Sequence, residues 1–233
     1  MMEVVNRERV VVAIDGPAGS GKSTLARRLA EELGLTYLNT GTMYRAVARA
    51  ALDHGVDVDD GIGLAELARR MSFEIDRSAS PPSLLVEGRS AEEELERAEV
   101  EAVVSAVARH PEVRSVLREE QRRLGSAGAV VEGRDIGTVV FPNAEVKVFL
   151  QADPVERAAR RQEERGDPDP ALAEALARRD ALDSRVNPFV PAEDATLVDT
   201  SGRQADEVFH EVLALVRAAL GRDHAKSDAE EGR

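Results

Sequence analysis

Gly16-Pro17-Ala18-Gly19-Ser20-Gly21-Lys22-Ser23 has the spacing G-x-x-x-x-G-K-S, which is typical of a phosphate-binding P-loop. It stands between a run of apolar residues, Val10 to Ile14, and a helical pattern that begins at Thr24. The glycines let the backbone bend so that successive N–H groups face one anion, and the helix that follows adds its positive end. A glycine-rich turn that binds nothing is the alternative, but the flanking strand and helix favour the P-loop.

The P-loop pattern predicts a ligand and a role for individual residues. We expect the stretch from Gly16 through Thr24 to bind the phosphates of a nucleoside triphosphate. The Lys22 ammonium would contact the β- and γ-phosphates, and the Ser23 hydroxyl would hold Mg²⁺. Lys22 is one of only three lysines in a chain that otherwise uses arginine.

The composition limits the class of protein. With 233 residues, the chain is long enough for one domain with an inserted subdomain or for two small domains. It contains no cysteine, which excludes disulfides and thiolate metal sites, and its four histidines lie far apart. No apolar run has the length of a membrane span, and residues 1–9 lack the apolar core of a signal peptide. We therefore expect a soluble, cytoplasmic protein with no membrane partner.

The charge of the chain bears on its partners. A net charge of −13 argues against binding to nucleic acid, because the summed field repels a phosphate backbone. A small anion needs only a local cluster of positive groups. Arginines are clustered in two places: Arg157, Arg160, Arg161 and Arg165, and then Arg178, Arg179 and Arg185. For most of them, pairing with Glu and Asp on helix faces is the favoured interpretation.

Apolar runs alternate with helical stretches, a pattern typical of a parallel sheet covered by helices on both faces. The predicted core strands are residues 10–14, 36–38, 129–132, 146–150 and 196–199. We expect an α/β fold, with a five-stranded parallel sheet flanked by helices. Ligands of such sheets bind beyond the carboxyl ends of the strands.

Two helices have clear signals in the sequence. Leu25, Leu29 and Leu33 form one stripe of a helix that Gly34 ends. A second helix is predicted to begin at Asp153-Pro154-Val155-Glu156, because Asp can cap free N–H groups, Pro suits the first helical position and Glu stands at the capping-box position.

The middle of the chain interrupts the alternation. Residues 72–75 and 84–86 read as two short strands joined through a turn-rich segment. We assign this hairpin to an insertion and not to the parallel core sheet. Residues 91–123 follow a helical pattern with a break near Pro111. The tail after Leu220 is polar throughout and is expected to be disordered.

Four further segments carry polar residues where a second substrate could bind. They are residues 39–45, 105–114, 132–142 and 178–185. The first and the third directly follow strands, so they would emerge at the same edge of the sheet as the P-loop. We expect all four segments to converge on one cleft.

These segments make the chain resemble the bacterial cytidylate kinases, from Val11 to about Ser201. The most specific parts of the resemblance are Ile14-Asp15-Gly16-Pro17, Gly41 with Tyr44-Arg45, and Gly133-Arg134-Asp135 followed by Gly137-Thr138-Val139-Val140-Phe141-Pro142. The resemblance implies transfer of the γ-phosphoryl group of ATP to CMP or dCMP, with Mg²⁺, by a monomeric enzyme.

The resemblance also implies a domain organisation. A P-loop kinase core would comprise residues 9–67, 124–155 and 190–220. An acceptor-binding insertion at 68–123 would contain the small hairpin or sheet, and residues 156–189 would form a short helical lid and the helix after it. Residues 1–8 and 221–233 would be disordered termini.

The site residues for phosphoryl transfer follow from the same resemblance. Arg160 of the lid and Arg179 after it would reach the transferring group together with Lys22, and Arg157 or Arg161 could take the place of Arg160. Arginine suits this task through its fixed fork of donors.

The acceptor site is implied in the same way. Arg45 and Arg134 would bind the CMP phosphate, and Ser105, Arg114 and Asp135 would bind cytosine. Thr40 and Gly41 belong to the same segment as Arg45, and Tyr44 would either line the pocket or be a buried tyrosine with a satisfied hydroxyl.

Asp183 and Arg185 resemble the family pair that binds the sugar hydroxyls. The segment Asp183-Ser184-Arg185 is one residue shorter than the family pattern, which on a helix turns the arginine by about 100°. Either a loop restores the contact, or Arg185 is not a sugar ligand.

Two other functions stay open at this point. The chain could be a P-loop kinase of another acceptor, such as UMP, AMP or a small metabolite. It could also be a nucleotide-dependent switch or ATPase that acts through a partner protein, although that function leaves Arg45, Arg134 and Asp135 unexplained.

Overall fold

The computed structural model describes residues 10–90, 95, 97–165, 181 and 190–231, without the side chains of 164–165 and 222–231. Within these ranges seven strands form one sheet in the order β3-β4-β2-β5-β1-β6-β7. Its strands are β1 Val11–Asp15, β2 Thr36–Asn39, β3 Phe73–Asp76, β4 Ser83–Val86, β5 Ala129–Gly133, β6 Val146–Gln151 and β7 Thr196–Asp199. All neighbouring strands run parallel except β3 and β4.

The α/β fold and the five parallel strands of the core are confirmed, but the sheet has seven strands and not five. The prediction that the hairpin lies outside the core sheet is wrong. Ser83 of β4 pairs with Tyr37 of β2, and the Tyr37 N–H donates to the Pro82 carbonyl over 2.7 Å. The physical reason is burial: Phe73 and Val86 are apolar and reach the same core as the parallel strands.

The described helices are α1 Lys22–Leu33, α2 Thr40–His54, α3 Gly61–Arg70, α4 Ala98–Ala108, α5 Pro111–Gly125, α6 Pro154–Arg165 and α7 Ala205–Glu231. A turn of π-helix, Ile136–Val140, follows β5. The break near Pro111 is confirmed, since α4 ends before it and α5 begins with it. Proline suits that first position because its missing N–H would have no helical partner.

The carboxyl-terminal helix is longer than the sequence predicts. Disorder was expected from residue 221, whereas α7 continues through Glu231. Residues 222–231 contain Ala, Lys, Arg and Glu, which favour helix, and no proline. A helix already begun at Ala205 can therefore continue through this polar stretch without a new nucleation step.

Two apolar layers cover the two faces of the sheet. Along β1 the residues alternate: Val12 and Ile14 pack in one layer with α1 and α7, whereas Val11 and Ala13 pack in the other with α2, α3, α4 and α5. Every residue of β1 is buried, as expected for a central parallel strand. The carboxyl end of β1, which carries the P-loop, is therefore fixed from both faces.

The predicted cap of the lid helix is confirmed in part. The Asp153 carboxylate accepts the Val155 N–H over 2.8 Å. Glu156 does not complete a capping box; its carboxylate accepts the Gly202 N–H over 2.8 Å, and the Asp153 N–H donates to the Ser201 hydroxyl. These contacts attach the start of α6 to the loop that follows β7.

Within the residues that the structure describes, no helix has both the length and the apolar content needed to cross a membrane.

The packing of α1 yields a stability prediction. Leu29 of α1 has no exposed surface and packs in the apolar layer between this helix and the sheet. Leu29→Ala should therefore lower the free energy of unfolding by about 2–5 kcal/mol. Ile62 on α3 is 68% exposed. The control Ile62→Ala should therefore change the free energy of unfolding by less than about 1 kcal/mol. Urea denaturation of the two variants measures both values, and equal losses would contradict the assigned core.

Candidate active site

The P-loop connects β1 to α1 in a conformation that requires glycine. Gly16, Gly19 and Gly21 have φ values of 149°, 72° and 89°. A Cβ on Gly16 would lie 2.5 Å from the Leu150 carbonyl oxygen, and one on Gly19 would lie 2.7 Å from that of Arg157. The loop is therefore pressed against the ends of β6 and α6, and its N–H groups stay close to the amino terminus of α1, where an anion is favoured.

A cleft opens in front of the P-loop. We call it the acceptor cleft. Lys22 and Ser23 line one side of it. Every predicted acceptor residue within the described ranges lines the rest: Thr40, Gly41, Tyr44, Arg45, Ser105, Arg114, Arg134 and Asp135. The structure thus brings together segments that are up to 95 positions apart in the sequence, between 40 and 135.

Two arginines of this cleft donate to neutral oxygen atoms. Arg45 is buried, its Nη2 donates to the Thr42 hydroxyl over 3.1 Å, and its Nη1 lies 4.0 Å from a Glu101 carboxylate oxygen. Arg134 Nη1 donates to the Gly16 carbonyl over 2.7 Å. This contact of Arg134 links the acceptor side of the cleft directly to the P-loop.

Asp135 lines the acceptor cleft and accepts from two arginines. It is 9% exposed, and its Oδ2 accepts from Arg114 Nη2 over 3.3 Å and from Arg118 Nη2 over 2.5 Å. The sequence analysis missed Arg118. Its position one helical turn after Arg114 on α5 is the signal that could have found it.

Tyr44 lines the acceptor cleft with a neutral phenol. Burial raises the pKa of Tyr44 to about 12, and the nearby Asp135 charge acts in the same direction. The hydroxyl therefore remains protonated throughout the physiological range. It is a neutral group beside Asp135, within hydrogen-bond reach of the Gln121 side chain.

Glu132, the fourth residue of β5, is a second residue that the sequence analysis missed. Its carboxylate is buried and accepts the Ser23 hydroxyl over 3.0 Å and the Tyr37 hydroxyl over 2.7 Å. The Thr40 hydroxyl donates to the Glu132 carbonyl over 2.8 Å. An acidic residue within an otherwise apolar strand was the available signal, because such a residue rarely lies in a core without a specific task.

Asp15 is the third missed residue and lies at the junction of β1 and the P-loop. It is 7% exposed, and burial raises the pKa of its carboxyl to about 6; the nearby Asp135 also raises the pKa, while Lys22 and the N–H groups of Ile136 and Gly137 lower it. The carboxylate is ionised at neutral pH only at a cost in desolvation.

A second cleft lies on the other side of the P-loop. It is lined by Thr24 and Leu25 of α1, Thr200 after β7 and Val208 of α7, among others. We call it the rear cleft. Its lining includes Arg160, which donates to the Thr200 carbonyl over 2.6 Å and to the Thr200 hydroxyl over 2.9 Å.

The arginines of α6 divide between the two clefts. Arg160 points to the rear cleft, whereas Arg161 lines the acceptor cleft and Arg157 Nη1 donates to the Ala18 carbonyl over 3.0 Å. Adjacent residues of a helix point about 100° apart, so one helix can supply both clefts. The predicted catalytic residue Arg160 is thus not among the residues that face the acceptor cleft, and its neighbour Arg161 is.

The remaining predicted site residues, Arg179, Asp183 and Arg185, lie outside the described residues.

The sequence is similar to those of known proteins over most of its length. A family model described as cytidylate kinase matches residues 12–218. A cytidylate kinase of Geobacillus kaustophilus is 44% identical over 92% of this chain and 100% of its own length. One of Pelotomaculum thermopropionicum is 45% identical over 89% of this chain and 96% of its own length.

A bifunctional pantoate ligase/cytidylate kinase of Prochlorococcus marinus is 45% identical over 90% of this chain. The chain spans 45% of the length of that relative.

The raised pKa of Asp15 predicts a pH-dependent stability. The ordinary pKa of an aspartate carboxyl is 3.8, and that of Asp15 in the folded protein is about 6, so the folded state holds an extra proton between these pH values. The stability that this proton provides is present below about pH 4 and is lost as the pH rises through 6.

Relative to Asp15→Asn, the free energy of unfolding of the wild type should fall by on the order of 1 kcal/mol between about pH 5 and about pH 7.5. Urea denaturation of both proteins at the two pH values measures this. A stability difference that is constant, or that changes in the opposite direction, would contradict the assignment.

Proposed function

The chain belongs to the cytidylate kinase family, and we propose that it transfers the γ-phosphoryl group of ATP to CMP or dCMP, giving ADP and the nucleoside diphosphate. One observation carries the proposal: the P-loop lysine and the two arginines Arg45 and Arg134 line the same cleft. A donor phosphate and an acceptor phosphate can therefore meet there. Members of this family would need that arrangement, because their two substrates are both anions.

The acceptor phosphate is assigned to Arg45 and Arg134. A guanidinium can donate two parallel hydrogen bonds to a phosphate, which gives direction as well as charge. The contacts of Arg45 with Thr42 and of Arg134 with Gly16 hold both groups near the cleft before any ligand binds. Less side-chain entropy is then lost on binding.

The cytosine base is assigned to Ser105, Arg114 and Asp135. Cytosine presents one amino donor beside two acceptors, so a complementary site needs an acceptor and a donor side by side. The Asp135 carboxylate and the Arg114 guanidinium provide this pair at a separation of 3.3 Å. Thr40, Gly41 and Tyr44 complete the wall of the same cleft, and Asp183 and Arg185 remain the candidates for the sugar hydroxyls.

The metal ion is assigned to Ser23, with Glu132 next to it. Their oxygen atoms lie 3.0 Å apart, and Mg²⁺ prefers oxygen ligands. Among the described residues no group of three or more acidic or histidine side chains could hold a metal alone. This fits a Mg²⁺ ion held by one or two protein oxygens and by the phosphates of ATP. When bound, the ion would neutralise charge on the β- and γ-phosphates.

The chemistry needs no catalytic base. The phosphate of CMP already carries an ionised oxygen at neutral pH, because the second pKa of a phosphate monoester is about 6. The protein then has to hold two anions in line and to offset the charge that moves between them. Lys22, whose Nζ donates to the Pro17 carbonyl over 2.7 Å, is placed for this, together with Arg161 or Arg157 of the lid. Arg160 and Arg179 remain candidates for the closed enzyme.

The adenosine part of ATP is assigned to the rear cleft. Leu25 and Val208 give this cleft an apolar lining, and Thr200 adds a polar group beside it. The cleft touches Gly19, Ser20 and Gly21 of the P-loop, so a nucleotide with its phosphates in the loop can place its base there.

The proposal also covers the domains and the assembly. The insertion at 68–123 and the lid at 156–189 would close over both nucleotides and exclude water that would otherwise hydrolyse ATP. We propose a monomer, since one chain supplies the walls of both clefts. We also propose that the protein acts in the cytoplasm. A molar mass near 25.2 kDa by light scattering supports the monomer, and a mass of twice that value contradicts it.

The acceptor is tested by a panel of nucleotides. In a coupled assay of ADP release, kcat/KM for CMP and dCMP should exceed that for AMP by at least about a hundredfold, because adenine is larger and lacks the second acceptor that cytosine offers to Arg114. Faster turnover of AMP than of CMP would overturn the assigned acceptor. ATP hydrolysis that is unaffected by every acceptor would favour the switch or ATPase.

The donor side is tested by removing the Lys22 charge. Lys22→Ala should lower kcat by about 10²–10³-fold, because the ammonium acts on charge that develops in the transition state. Lys226→Ala, which removes another of the three lysines from the end part of α7, serves as the matched control and should retain full activity. A Lys22→Ala enzyme with unchanged kcat would show that the P-loop lysine does not contact the transferring group.

A further inference from the structure

Asp15 makes a contact that the proposed mechanism does not use. It is the last residue of β1 and directly precedes the P-loop, and it is not among the residues that line either cleft. Its Oδ1 accepts the Ile136 N–H and its Oδ2 accepts the Gly137 N–H, both over 2.8 Å. Each carboxylate oxygen thus holds one of two consecutive peptide groups.

These two peptide groups directly follow the acceptor residues Arg134 and Asp135. The residue after Asp15 holds the same segment, since the Gly16 carbonyl accepts from Arg134 Nη1. Two consecutive residues at the end of β1 and the start of the P-loop therefore bind the segment 134–137. The end of β1 is itself fixed, because Asp15 pairs with Gly133 of β5 and with Phe149 of β6.

The contact is closely packed. A Cβ added to Gly137 would lie 3.2 Å from Lys147 Cδ and 3.4 Å from Asp15 Oδ2. On the far side of the segment, Arg122 donates to the carbonyls of Val139 and Val140 over 2.9 and 3.0 Å. The π-helical turn is thus held by a carboxylate at its N–H end and by a guanidinium at its carbonyl end.

Burial of the Asp15 carboxylate is costly for folding. Lys22 is the nearby cation that favours its charge, Asp135 disfavours it, and desolvation outweighs both. If this side chain only filled space in the fold, burial of a neutral residue would cost less free energy than burial of a carboxylate. The ionised form has one property that a neutral amide lacks, which is the ability to accept hydrogen bonds at both oxygens.

We propose that Asp15 is a positioning residue that fixes Arg134 and Asp135 relative to the P-loop, and so sets the acceptor nucleotide in line with the donor. This inference rests on the proposed function. Asp15 touches neither substrate; it acts through the peptide groups of Ile136 and Gly137. The binding of the acceptor nucleotide, and not the binding of ATP, should therefore depend on Asp15.

Asp15→Asn is the variant that tests this, because it keeps the shape and removes one acceptor oxygen. KM for CMP should rise at least about tenfold, the expected effect of losing one charge-assisted hydrogen bond, while KM for ATP changes less than about twofold. Titration calorimetry should show the same difference: the Kd for CMP alone should rise, while the Kd for a non-hydrolysable ATP analogue alone should stay nearly unchanged. Asp53→Asn removes a carboxylate from the exposed face of α2 and should leave all four constants unchanged.

Two outcomes would overturn the proposal. Unchanged constants would show that the segment does not need Asp15, and an equal loss of affinity for CMP and for the ATP analogue would show a general structural role. If Asp15→Asn does not fold, Asp15→Glu decides, because it keeps the carboxylate but lengthens the side chain by one methylene in a closely packed place; KM for CMP should then rise severalfold with KM for ATP unchanged. A wild-type enzyme that does not phosphorylate CMP in the same assay would contradict the proposed function itself.

Discussion

Parallel pairing of β1 with β5 is the constraint on which the site depends. The register places Asp15 opposite Gly133, so the P-loop and the segment after β5 leave the sheet side by side. Because β2 pairs with the other edge of β5, with Asn39 opposite Glu132, the segment with Thr40 and Arg45 leaves the sheet at the same level. The register of the sheet thus brings two loops and the first turns of helix α2, from distant parts of the sequence, to one cleft.

Local charge, and not net charge, determines what this cleft can bind. The chain carries a net charge of −13, yet Lys22, Arg45, Arg114 and Arg134 all line the acceptor cleft. Lys22, Arg45 and Arg134 each donate to a backbone or hydroxyl oxygen. A nucleotide phosphate would add charge-assisted hydrogen bonds to these contacts, although the Arg45 guanidinium also lies 4.0 Å from the Glu101 carboxylate.

The sequence was sufficient to predict those parts of the fold that follow from local pattern. The five core strands and the helix stripe through Leu29 are of this kind, whereas the residues that line the acceptor cleft were predicted from the family resemblance. The hairpin was misplaced because its apolar pattern indicates burial but does not identify the strand that it joins. The pairing of Ser83 with Tyr37 determines its place in the sheet. Asp15 and Arg118 were missed because their tasks depend on contacts with residues 121 and 17 positions away.

A crystal structure with CMP, Mg²⁺ and a non-hydrolysable ATP analogue tests the central claim most directly. The account predicts that the CMP phosphate lies between Arg45 and Arg134, with one of its oxygens in line with the γ-phosphate held by Lys22, and with cytosine beside Asp135. CMP bound elsewhere, or a phosphate that faces away from the P-loop while Arg45 and Arg134 keep only their present partners, would contradict it.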